Sequence, residues 1–126
     1  MTFSGPVSGS GTIQTGGSGN DANTREKLGL YNDANDFTGT LVNKGGSAII
    51  KVNSLGDGGK IQLYDGTGGL ELGSGTATPL LFDTRQVELF GSSVISNNNA
   101  TATNTITINT DLTCGSTGNK TFSLRG

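Results

Sequence analysis

Asp83, Arg85 and Glu88, in the run Asp83-Thr84-Arg85-Gln86-Val87-Glu88, are the side chains with the types and spacing best suited to chemistry. Polysaccharide-degrading β-structures project such residues from one strand ladder, with carboxylates moving protons and a cation binding charge. On an extended strand Asp83 and Arg85 share a face, whereas Glu88 has the opposite parity and joins them only through a bulge. The sequence has no His, so carboxylates, Lys and Arg would have to carry every proton transfer. A polar outer face accounts for the same residues, and no catalytic activity is expected from them.

Gly16-Gly17-Ser18-Gly19-Asn20-Asp21-Ala22-Asn23-Thr24 nearly matches the calcium nonapeptide of β-rolls, in which an Asp and backbone carbonyls hold a hard cation. Asn23 stands where a large apolar residue belongs, and no second copy supplies ligands from a successive turn. A Gly-rich corner is the reading retained, so neither a metal nor another cofactor is expected. The pairs Asp33/Asp36 and Asp57/Asp65 read as turn residues. Cys114 is the only cysteine and reads as a small residue buried on the strand Leu112-Thr113-Cys114. Thr101, Thr103, Thr105 and Thr107 alternate along one side of a strand. Ice binding needs such an array on several stacked turns, and only Thr38-Gly39-Thr40 and Thr76-Ala77-Thr78 echo it, so these are β-branched residues on a solvated face.

Composition narrows the partners. Charged residues make up 14% of the 126 residues, well below the usual quarter, and the formal net charge is −2. The eight Lys and Arg are scattered, so no basic patch exists to hold a nucleic-acid backbone. Met1 to Gly11 lacks the basic and apolar regions of a signal peptide, and no run reaches membrane-spanning length, so no membrane insertion is expected. With 22 Gly and 2 Pro the chain stays below low-complexity levels and reads as one domain, or as one segment of something longer.

The elements that would position any site follow from the stretch Phe37–Leu63. There Leu41, then Ala48, Ile50 and Val52, then Ile61 and Leu63 fall at every second position, the period of a strand. The separators, 43–47 and 53–59, are too short for a crossover helix and rich enough in Gly and Asn for sharp corners. Similar runs follow at 70–72, 80–82, 87–89, 94–95, 105–108, 112–114 and 121–124, with turn chemistry in every gap. Phe3, Val7 and Ile13 are candidates for burial before them, residues 21–27 form a charged corner insertion, and Leu28 and Leu30 point inward. Strands this short, with few aromatics and no Trp, would give a β-sandwich a thin core. The expected fold is therefore all-β, a single-stranded parallel β-helix (β-solenoid) spanning residues 1–126, with about four to six short rungs of about 20–30 residues. A Phe-Ser/Thr echo at Phe3, Phe37 and Phe122 supports an internal repeat.

The order Gly9 to Ile13, Leu28-Gly29-Leu30-Tyr31-Asn32, Asn35 to Leu41, Asn53 to Gly58 and Lys60 to Leu63, closed by Gly115 to Gly126, resembles the autotransporter-associated β-strand repeat. That resemblance covers most of the chain. It implies a right-handed parallel β-helix used as an exported stalk, adhesin scaffold or fibre of bacteria, placed outside the cell or on its surface. It carries over no catalytic residue.

A solenoid ends in two strand edges that natural proteins cover or charge. Here both ends are strand-like and apolar. Phe3, Val7 and Ile13 at one end and Leu112, Phe122 and Leu124 at the other are therefore the expected self-association residues. The expected partner is the chain itself, head to tail, or neighbouring repeats of a longer chain, with surface glycans as the alternative.

Overall fold

Among the described residues the apolar runs become thirteen short strands and no helix occurs, so no helix there is long and apolar enough to cross a membrane. The computed structural model describes residues 1–15, 27–30, 32, 34–44, 48–52, 58–64, 70–72, 80–82, 84–97 and 105–125. In chain order the strands are β1 Thr2–Phe3, β2 Thr12–Thr15, β3 Lys27–Leu30, β4 Thr40–Asn43, β5 Ala48–Val52, β6 Lys60–Leu63 and β7 Leu70–Leu72. They continue with β8 Leu80–Phe82, β9 Gln86–Leu89, β10 Ser93–Asn97, β11 Ile106–Ile108, β12 Leu112–Cys114 and β13 Phe122–Arg125.

Among the described residues pairing is parallel throughout, and no strand pairs with the one next to it in sequence. One sheet has the order β1-β3-β5-β7-β10-β13, a second β12-β9-β6-β4-β2, and a third contains β8 and β11. Hairpins would give antiparallel neighbours; instead the chain leaves each sheet at the end of a strand and returns one strand further on. In the second sheet Ile13 pairs with Leu41, Leu41 with Ile61, Ile61 with Val87 and Val87 with Leu112, so paired residues of neighbouring strands lie 28, 20, 26 and 25 residues apart in the chain. The register there is unbroken, whereas the six-stranded sheet carries an irregularity between Leu28 and Gly29.

Alternation decides what is buried. Leu41, Ile61 and Val87 stack on one another, as do Leu63 and Leu89, all at 3% exposure or less. Between them Gln62 and Glu88 turn the other way. Leu28, Leu30, Phe37 and Ile95 complete this core, with Val7, Ile13, Ile108 and Phe122 packed against it. Full burial of one Leu or Ile contributes about 1.5–3 kcal/mol. A strand of four residues buries only two such side chains, so each strand depends on those paired beside it.

Two further segments align without regular strand geometry. The backbone N–H groups of Asp36, Thr38 and Thr40 donate to the carbonyls of Val7, Gly9 and Gly11 at 2.8–3.1 Å. Asn35, 4% exposed, accepts from the Val7 N–H at 2.9 Å and donates to the Leu30 carbonyl at 3.4 Å. Asn32 accepts the Ala34 N–H at 2.8 Å, the turn chemistry expected of asparagine. The following corner is crowded: a Cβ on Gly39 would meet the Gly11 carbonyl and the Phe37 ring, and one on Gly59 the carbonyls of Thr38 and Gly39.

Several expectations are corrected here. Lys27, the last residue of the expected corner insertion, opens β3, and residues 21–26 lie outside the described residues. Asn43, expected in a turn, ends β4 with its side chain 2% exposed and within 3.4 Å of the Thr15 hydroxyl. The Phe echo is not a structural repeat: Phe3 pairs with Leu30, Phe122 with Ser93, and Phe37 lies outside the strands.

Candidate functional site

Of the residues that suggested catalysis, Arg85 and Glu88 are described, and they turn to opposite sides. Arg85 is 2% exposed, and its guanidinium turns inward, donating from Nη1 to the Gly39 carbonyl at 2.6 Å and from Nη2 to the Phe37 carbonyl at 2.5 Å. It sits 6.0 Å from the centre of the Phe37 ring, and the Thr110 hydroxyl donates to its own carbonyl at 2.6 Å. Arg85 therefore clamps backbone and does not project from a ladder. The reason is positional: it directly precedes β9, beside the crowded corner that holds Gly39. Asp83 lies outside the described residues.

Glu88 does face outward on β9, where it is held by neighbours. Its carboxylate accepts from Lys60 Nζ at 2.5 Å and from Gln62 Nε2 at 2.8 Å, both on the adjacent β6. These hydrogen bonds, Lys60 first, hold its pKa below the ordinary 4.5 against the opposing effect of burial. Such a group is a settled carboxylate at neutral pH, not a proton donor.

The remaining motifs separate in the same way. The near-calcium nonapeptide at 16–24 lies outside the described residues, as do Thr101, Thr103, Asp33, Asp57 and Asp65. Asp36 is exposed, and no group of acidic, Cys or His side chains suited to a metal occurs among the described residues. Thr105 precedes β11 and Thr107 is exposed on it. Cys114 departs from its expected burial: it is an exposed free thiol, because β12 is an outer strand and nothing described lies over it.

The residues expected to self-associate fall on or beside the outer strands. β1 and β13 are the two edges of the six-stranded sheet, and β2 and β12 the two edges of the five-stranded one. Phe3 lies on β1, Ile13 on β2, Leu112 on β12, and Phe122 and Leu124 on β13. Val7 lies between β1 and β2 on the same side. Phe3, Leu112 and Leu124 are 45%, 48% and 72% exposed, whereas Val7, Ile13 and Phe122 already pack against the core. Beside Leu124 an open hollow of about 350 Å³ is lined by Ile95, Asn97, Ile108 and Arg125. No such hollow was expected from the sequence, because it depends on how separate strands meet.

Searches of the chain against protein-family models, curated proteins and solved structures give no match.

Proposed function

We propose that the parallel sheets are the faces of one β-solenoid and that the chain is a structural unit of an exported bacterial surface protein or extracellular fibre, stacking head to tail through its two outer levels. One observation carries the stacking: the large hydrophobic side chains exposed among the described residues, Met1, Phe3, Leu112 and Leu124, all lie on or beside edge strands. Edge strands offer unpaired backbone groups, and apolar side chains on them favour addition of another strand. Both edges of each large sheet run in the same direction, so a second copy in the same orientation extends both sheets together. Such a contact is heterologous and does not close, which builds a filament. Export and a bacterial source rest on the resemblance to the autotransporter-associated repeat alone.

Negative-stain electron microscopy of the purified chain over a range of concentrations, with salt and EDTA controls, tests the reading. Unbranched fibres one molecule wide are expected, and the double variant Leu112→Lys, Leu124→Lys is expected to remain monomeric. Compact monomers at every concentration would overturn it.

A further inference from the structure

We infer a specific register for the contact between copies, resting on the stacking reading above: Ile13 of one copy seats on Leu112 of the next, and Thr15 on Cys114. The five-stranded sheet dictates it. Two columns run through that sheet without a shift, Ile13-Leu41-Ile61-Val87-Leu112 and Thr15-Asn43-Leu63-Leu89-Cys114. Their middle members are 3% exposed or less, so both columns line the core. Only the last members, Leu112 and Cys114, are exposed. A strand added to β12 in the same register must therefore bring an apolar residue over Leu112 and a small one over Cys114.

β2 of a second copy supplies both. Ile13 is half-buried and already turned toward the core, and Thr15 is close in size to Cys. The residues between them also agree: Gln14 would stand beside Thr113 and Thr12 beside Asp111, with no like charges opposed. A slip by one residue would place Gln14 over Leu112 or Cys114 and turn Ile13 outward, since every side chain changes face. The occupant that fits this edge is a second copy of the same chain in the same orientation.

The register is read by disulfide formation. Adjacent strands lie about 4.8 Å apart, within the Cα separations a disulfide spans. Thr15→Cys places a thiol at one edge while native Cys114 remains at the other, so oxidation during assembly should give an SDS-resistant ladder of dimers, trimers and longer chains. Gln14→Cys, which points to the opposite face, should stop at dimers, as should the wild type with its single thiol. Ile13→Cys with Leu112→Cys in a Cys114→Ser background tests the neighbouring column independently of any folding defect in Thr15→Cys. Fibres without a ladder from either inward pair, or a ladder from Gln14→Cys, would overturn the register and leave stacking intact. No assembly by any variant or by the wild type would overturn both.

Discussion

Arg85 Nη1 lies 2.6 Å from the carbonyl oxygen of Gly39, 46 residues earlier in the chain, with the level that holds Gly59 between them. A single side chain thus reaches from the start of β9 past β6 to the segment before β4. Its second nitrogen satisfies the Phe37 carbonyl at the point where regular strand geometry is absent. A guanidinium suits this position because its rigid fork serves two acceptors at once.

Replacing Arg85 with Met keeps volume and removes both hydrogen bonds. Bonds from charged donors contribute about 1.5–3 kcal/mol each, and the carbonyls are left buried. We expect Arg85→Met to lower unfolding stability by about 3 kcal/mol or more, measured from the urea midpoint. Arg85→Lys should recover part of that loss, because an ammonium cannot serve both acceptors in the same geometry. An unchanged midpoint in Arg85→Met would show that the clamp contributes nothing.

Gly58 and Gly59 separate two costs usually confounded. Both have positive φ, 80° and 68°, where an L side chain is strained by about 1–2 kcal/mol. A Cβ at Gly58 meets open space, whereas one at Gly59 meets the backbone carbonyls of Thr38 and Gly39, which cannot yield without moving a level. Gly58→Ala should therefore cost about 1–2 kcal/mol by strain alone, and Gly59→Ala clearly more. Equal costs in chemical denaturation would refute the crowded corner.

How much of this was legible in the sequence depended on whether the signal was local. Leu41, Ile61, Leu63, Val87 and Leu89 announce themselves by alternation, because a strand's period is imposed by its own backbone. The parallel arrangement followed from separators too short for helices and without hairpin turns. Arg85 was misread because charge suggests solvent, and nothing near it in sequence reveals carbonyls contributed from 46 and 48 residues away. Asn43 was misread for the related reason that Asn favours turns, while its burial beside Thr15 comes from the level below. Cys114 followed its composition toward burial, yet an outer strand has no further level to cover it.

Glu88 gives a pH dependence with a defined sign. Its folded pKa is lowered from 4.5 by the hydrogen bonds from Lys60 and Gln62. A carboxylate lowered on folding contributes stability that is fully present above its unfolded value and is lost as pH falls through the folded one. Glu88→Gln should therefore be slightly less stable than wild type near neutrality and indistinguishable from it in strong acid. The difference should be small, about 1 kcal/mol or less, since the Lys60 side chain is 46% exposed. Thermal midpoints of both proteins across the acid range check this, and a difference that persists below both pKa values would assign the effect to something other than ionisation.

At the end of the same sheet, a column of side chains crosses three neighbouring strands, one residue after each. Lys44 Nζ lies 5.0 Å from the Tyr64 ring centre, and the Tyr64 and Phe90 rings stack at 4.7 Å with 7° between their planes. The backbone fixes the spacing, since the N–H groups of Tyr64 and Phe90 donate to the carbonyls of Asn43 and Leu63, continuing the ladder past the strand ends. Stacking at this distance is worth about 0.5–1.5 kcal/mol beyond the area it buries. A double-mutant cycle of Tyr64→Leu and Phe90→Leu should return a coupling of that size. Gly115→Ala should reduce it with both ring residues retained, because a Cβ there would collide with the Phe90 ring and tilt it from its partner. Additive single mutants would mean that the two rings are merely adjacent, with alignment imposed entirely by the strands beneath them.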